Sequence, residues 1–331
     1  MDPIYTTETM ATRALAAEIR QAPHAFTNWI ADRIGISTEA LGVVTNVRCE
    51  AEENLDVVVS YGAEKSIGIE AKFDHVVTSA QLSRESTAVD KLVLLVLDES
   101  DAAGHESEVA AVATWHELLA IFDTPRLSAE DIDRIPGTKK KVERLMRALD
   151  LDAVLPEGWS TWIGRGDGGM SSIVVEGPRT RGGRRLCGQI QVMGRDSKLP
   201  LDEITLEYHV GVSVELGDED FPEDPTTRPT WVDELFILDA VLQENGTRFQ
   251  VRTNMPRNGT SPTGKRKMPI VREHLSGREW LAQGYCDWSL GTKSSIHRLD
   301  ELKALADEAV ALFIAWEAAR HDTTAAAVAH P

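Results

Sequence analysis

Leu55-Asp56-Val57-Val58-Val59-Ser60-Tyr61 and, after a gap from Gly62 to Lys65, Ser66-Ile67-Gly68-Ile69-Glu70-Ala71-Lys72-Phe73 decide the reading of this chain. Both runs are rich in Val, Ile and aromatic residues, and the gap between them holds a glycine and has hairpin length. Two antiparallel strands joined by a turn are therefore expected. Side chains along a strand alternate between faces, so Glu70 and Lys72 project from the same side. Asp56 lies fourteen residues before Glu70, and because the two strands run side by side the two carboxylates meet at one end of the sheet. Two acids and a lysine converge.

Outward from this hairpin the pattern is that of a mixed sheet with helices. Thr7 to Ala22 has apolar residues at helical spacing (Met10, Ala14, Leu15, Ile19), and Ala25 to Ile34 is a second helix closing at Gly35. Leu41 to Arg48 reads as a strand before the hairpin. After it come a helix over Thr78 to Ser86, a strand over Lys91 to Leu97 whose unbroken apolar run suits burial on both faces, a strand over Val109 to Val112 and a helix over Trp115 to Phe122. The order is α, β, β, β, α, β, then β and α, and the fold class expected is α/β. Residues 124–150, with Pro125, Pro136 and Gly137, read as a linker with a short basic helix over Lys139 to Leu149. Beyond it, runs such as IVVEG, CGQIQVMG, ITLEYHVGVSVEL, ELFILDAVLQ and RFQVRT are separated by turn residues, which predicts a β-rich α+β domain over 151–322. A long helix from Leu299 to about Arg320 closes it, with 323–331 a frayed Ala-rich tail. A chain of 331 residues is of a length for about two domains.

A pair of carboxylates with open coordination positions suits Mg²⁺, a hard cation that takes oxygen ligands and keeps waters. Such a metal stabilises charge on a phosphate and acidifies a bound water, and a neighbouring lysine orients that water or offsets the developing charge. The acid-x-Lys triplet is by itself unspecific: Asp196-Ser197-Lys198 and Glu301-Leu302-Lys303 also satisfy it. Only Glu70-Ala71-Lys72 lies inside an apolar strand, at hairpin distance from an Asp and ahead of a helix carrying Gln81 and Leu82.

With Asp56 on one strand, Glu70-Ala71-Lys72 on the next, and Gln81-Leu82 with Arg84 on the helix after, residues 5–122 resemble the PD-(D/E)XK nuclease superfamily. The residue before Asp56 is Leu55, where the pattern's name has proline. The resemblance implies a restriction-endonuclease-like core over 1–123 and a metal-dependent nuclease. Asp56 and Glu70 would be its metal ligands, Lys72 its water-orienting group, Glu8 on the first helix an outer ligand or base partner, and Gln81 an accessory polar group. Mg²⁺ is the implied metal, with Mn²⁺ able to substitute, and DNA the implied substrate, in a setting such as microbial defence, restriction or repair. Two alternatives come from other classes: a non-catalytic nuclease-like module in a multi-protein assembly, and a nuclease awaiting activation by a partner or ligand of the C-terminal domain. A protein partner or a homodimer belongs to these readings.

Thirty-five Lys and Arg against 53 Asp and Glu give a net charge of −18, which argues against a passive nucleic-acid coat. Charge is nevertheless segregated. Arg179 to Lys198 holds six cations and one acid, and Arg248 to Arg272 holds seven cations and no acid. Arg179, Arg181, Arg184, Arg185, Lys265, Arg266 and Lys267 are accordingly the expected phosphate contacts, on loops that order on binding. The three cysteines have no CxxC spacing, so neither a disulfide framework nor a zinc knuckle is signalled. Gly164-Arg165-Gly166-Asp167-Gly168-Gly169 matches GxGxxG, but a strand and not a helix follows, so a turn is expected and not a dinucleotide site. No run reaches the roughly 18 to 20 apolar residues of a membrane span, and the first residues lack a basic-then-apolar layout. A cytoplasmic protein without a membrane partner is expected.

Overall fold

The computed structural model describes residues 4–51, 55–62, 64–74, 77–165, 171–179, 183–194 and 199–328. The chain is mixed α/β and divides into two units between Lys140 and Lys141. Among the described residues there are ten α-helices and two sheets, of five and seven strands.

In the first unit, the Thr7 hydroxyl accepts the Met10 N–H and starts α1 (Glu8–Gln21), which turns Ala11, Leu15 and Ile19 inward. α2 (Pro23–Ile34) has proline in its first turn and ends at Gly35, whose φ of 68° is left-handed. After α3 (Thr38–Leu41), β1 (Val44–Ala51) pairs antiparallel with β2 (Leu55–Tyr61), and β2 pairs antiparallel with β3 (Lys65–Ala71). α4 (Ser79–Ser86), capped by Thr78, carries the chain over to β4 (Lys91–Val96), parallel to β3. β5 (Ala111–Thr114) adds parallel to β4, two residues later than Val109, and α5 (Trp115–Leu119) follows it. The sheet order is β1-β2-β3-β4-β5.

Both faces of this sheet are covered. Val57, Val59, Ile67, Ile69, Val93 and Leu95 belong to the core that also holds α1 and α2. Val58, Leu92, Leu94 and Val96 belong to a smaller core with Leu82 of α4. The unbroken apolar run of β4 follows from this double burial. Asp56, Glu70 and Lys72 share the period of Val58 and thus the face that α4 covers.

Residues 124–150 are built into the two cores instead of standing between them. Leu127 and, on α6 (Ala129–Arg134), Ile132 pack in the first; Val142 and Met146 on α7 (Thr138–Arg147) pack in the second. Apolar residues at helical spacing account for this, and the polar composition of the segment hides it.

In the second unit β6 (Ser160–Arg165), β7 (Ser171–Glu176), β8 (Leu186–Val192) and β9 (Thr205–Ser213) form an antiparallel meander. Residues 166–170 of the GxGxxG match lie outside the described residues. ELFILDAVLQ is not a strand. It lies in α8 (Thr230–Glu244), where Trp231, Val232, Leu235, Leu238, Val241 and Leu242 form one buried helical stripe. RFQVRT contributes only the bridge between Val251 and Ser294. After α9 (Lys267–His274), β10 (Gln283–Tyr285), β11 (Ser289–Lys293) and the two-residue β12 (His297–Arg298) complete the sheet, in the order β10-β11-β9-β8-β7-β6 with β12 beside β9. Along β9, Leu206, Tyr208, Val210 and Val212 enter the apolar core, while Glu207 and His209 lie on the alternate face. α10 (Leu302–Val328) runs through most of the tail expected to fray, as the high helix propensity of alanine allows. Among the described residues no helix is long and apolar enough to cross a membrane.

Candidate functional site

The register Val57↔Ile69 between β2 and β3, continued by one residue, sets Asp56 opposite Glu70. Asp56 Oδ2 accepts the Ala71 N–H at 2.8 Å, which ties the start of β2 to the end of β3. Lys72, just past β3, keeps pairing with β4 through its N–H to Leu95 O at 2.8 Å, so its side chain stays on the Glu70 face. Its ammonium donates to Glu70 Oε1 at 2.5 Å.

α4 supplies the rest. Thr78 caps the helix and fixes its first turn, so that Gln81 Nε2 donates to Glu70 Oε1 at 2.6 Å and to Glu85 Oε1 at 2.7 Å. Glu85 is one helical turn beyond Gln81 and is 2% exposed. The sequence reading passes over it, although the Gln81-to-Glu85 spacing of four was the available signal. Glu8 opens α1, and its charge acts on Asp56. Asp56, Glu70, Lys72, Gln81 and Glu8 thus come together, with Glu85 in addition.

The electrostatics of the site are unfavourable to so many acids. Burial, and then the charge of Glu70, push the Asp56 carboxyl up to about 7; Glu8 adds to the push, and the Ala71 N–H and Lys72 oppose it. Burial also raises Glu85, against the pull of its hydrogen bond from Gln81. Glu70 is 4% exposed, and its second oxygen, Oε2, is buried without a hydrogen-bond partner, as is Glu85 Oε2. One lysine and one amide therefore leave buried acceptor capacity unmet, at a cost of about 1–3 kcal/mol for each unsatisfied group.

These residues fit a divalent cation. A buried carboxylate oxygen without a donor, beside a second carboxylate that burial and like charge oppose, is the donor set a hard cation would complete. Among the described residues no three His, Cys, Asp or Glu side chains converge into a ready-made metal cage. Asp56 and Glu70 would contribute two positions, and waters and substrate oxygens the others, which is how Mg²⁺ is commonly bound.

The basic clusters are not the open cationic loops expected. Arg184 forms a two-pronged pair with Asp220 and also donates to Thr230 Oγ1 and Ser213 O. Arg185 pairs with Glu176, and Arg266 with Asp218 and Glu223. Lys267 is wholly buried. Arg184, Arg185 and Arg266 are thus each engaged by acids of the second unit, and Lys267 is closed off from the surface. Arg179 is exposed and donates to Gly183 O at 2.9 Å, and Lys265 is exposed. Arg181 lies outside the described residues. Sequence shows where cations cluster but not which acids the fold brings to them. Compared with family models, with curated proteins and with solved structures, the chain matches none.

Proposed function

We propose that the first unit is a restriction-endonuclease-like core acting as a Mg²⁺-dependent nuclease on DNA. The observation that carries this reading is the buried Asp56–Glu70 pair with Lys72 on the same face and Glu70 Oε2 left without a donor. The order α, β, β, β, α, β, with the acids where β2 starts and β3 ends, supports it.

When bound, Mg²⁺ supplies a Lewis acid for the scissile phosphate and lowers the pKa of a coordinated water. Asp56 and Glu70 would hold it. Gln81 and Lys72 both engage Glu70 Oε1, which holds the carboxylate and leaves Oε2 without a donor. Lys72 places a positive charge beside the acids, where it orients the attacking water and offsets charge on the phosphate. Glu8, whose charge acts on Asp56, would accept a proton or hold an outer water.

Cleavage of supercoiled plasmid in Mg²⁺, Mn²⁺ or EDTA tests the reading. Metal-dependent nicking or degradation is expected of the wild type, with loss of at least about a hundredfold in Glu70→Gln and Lys72→Ala. Undiminished cleavage by Glu70→Gln would remove the assigned site.

A further inference from the structure

The second unit holds a cleft that the nuclease reading leaves unused. Its volume is about 560 Å³, within the range of small-molecule sites, and it lies over Glu207 of β9, Lys293 of β11, the β10 segment and the loop from Arg252 to Ser261.

Its floor is cationic. Glu207 accepts from Arg252 and, at 2.7 Å, from Lys293. Arg257 is exposed on the lining and has no carboxylate partner among the described residues. Three cations thus face two acids, Glu207 and Asp287, in a chain of net charge −18. Directly behind Gly284 of the wall lies Lys267, wholly buried, whose ammonium reaches the Gly284 carbonyl at 3.5 Å and no carboxylate. His209 is also wholly buried there, beside the Gln283 backbone, and a Cβ on Gly284 would stand 2.4 Å from its Nε2. Burial brings Lys267 down to about 8, and burial with the nearby lysines holds His209 neutral. A buried ammonium without a counter-charge is costly, and an anion on the other side of Gly284 would offset that cost.

The rim is of opposite character. Leu216, Met255 and Tyr285 are large apolar side chains left exposed, and all three line the cleft. The Tyr285 ring lies 6.3 Å from that of Trp288, and the Lys293 ammonium is 5.2 Å from its centroid. The cleft therefore suits a ligand with an anionic end and a planar, apolar one. It is too roomy for a bare phosphate. Guanidinium groups match phosphate oxygens in pairs, and an aromatic face accepts any nucleobase.

We propose that this cleft binds a nucleoside phosphate, its phosphate against Arg252, Arg257 and Lys293 and its base against Tyr285. The assignment is to side chains and not to the adjoining Gly259-Thr260-Ser261-Pro262-Thr263-Gly264-Lys265, which has the GxxxxGK spacing of a phosphate loop. The Gly259 N–H there is closed onto Gly264 O at 3.1 Å, and among the described residues no strand runs into the segment. Its two glycines answer a close backbone approach, since a Cβ on Gly259 would lie 2.9 Å from Gly264 Cα.

The proposal is independent of the nuclease reading and is tested by titration calorimetry on the full chain. The probes are AMP, GMP, CMP and UMP and their triphosphates, with inorganic phosphate and adenosine as partial ligands. Saturable binding of at least one nucleotide is expected, about tenfold or more tighter than phosphate or adenosine. Arg257→Ala and Tyr285→Ala, both at exposed side chains, are expected to weaken it about tenfold each, while Asp56→Asn leaves it unchanged. No binding across the set, equal affinity for inorganic phosphate alone, or full affinity in both variants overturns the proposal. Binding restricted to a single-stranded oligonucleotide also overturns it. Because Asp56→Asn abolishes cleavage on the first reading and spares binding on this one, the two fail separately.

Discussion

Asp56 carries a charge that its surroundings oppose. Its carboxyl sits near 7 in the folded chain against an ordinary 3.8, so over that interval the folded state holds a proton that the unfolded state releases. The stability contributed by that proton is present at acid pH and is lost as pH rises through 7. Asp56→Asn keeps an acceptor for the Ala71 N–H and removes the charge. In EDTA at pH 8 it is expected to stabilise the protein by about 1–3 kcal/mol, and by less at pH 5, measured by urea unfolding; a destabilised variant at pH 8 contradicts this. Glu85 is the control. It accepts from Gln81, lies 3.7 Å from Arg84 and is not one of the two acids proposed to hold the cation, so Glu85→Gln is expected to retain cleavage within about threefold where Glu70→Gln abolishes it. Comparable losses in both would make Glu85 a member of the metal site. Asp56, Glu70 and Lys72 were legible in the sequence because strand period and hairpin length bring them together, whereas Gln81 entered only through the family resemblance. Glu85 was not legible, because its burial depends on how α4 is rotated against the sheet. The pairing of Arg184 was hidden for a related reason, since its partner, Asp220, comes from a distant segment, and so was the burial of Lys267, which depends on how α9 packs.

At the scale of elements, the first sheet was the more readable half. Its strands are either alternating or wholly apolar, and the glycine-containing gap after Tyr61 marks the hairpin. Gly68 shows how tightly the hairpin is set, for a Cβ there would come 2.9 Å from Leu55 Cδ1 and 3.0 Å from Val89 Cγ2. Gly68→Ala is expected to cost about 1–3 kcal/mol and to lower cleavage by displacing Leu55 and with it Asp56; normal stability and activity would show that this contact yields freely. α8 was read as a strand because Leu235-Phe236-Ile237-Leu238 is a short apolar run, which either element accommodates. The buried stripe that repeats every three or four residues from Trp231 to Leu242 settles it as a helix. Leu235→Ala is expected to cost about 2–5 kcal/mol, read by thermal or urea unfolding, and a loss under about 1 kcal/mol would place Leu235 outside a packed core.

The whole molecule has a separate apolar core in each of its two units, and a change of composition near residue 150 announced the second one early. The division between Lys140 and Lys141 falls inside α7, whose basic composition hides the buried Val142 and Met146. Separate cores predict calorimetric unfolding that is not two-state. Leu235→Ala is expected to move one transition and added Mg²⁺ the other, whereas a single transition shifted equally by both would mean one cooperative body. On the proposed reading, Asp56 and Glu70 complete their coordination with a divalent cation. Mn²⁺ titration followed by electron paramagnetic resonance reads this most directly, by counting free ion. Saturable Mn²⁺ binding that competes with Mg²⁺, survives Glu85→Gln and disappears in both Asp56→Asn and Glu70→Gln is the predicted result. No saturable binding, or binding unaltered by Asp56→Asn and Glu70→Gln, would contradict it.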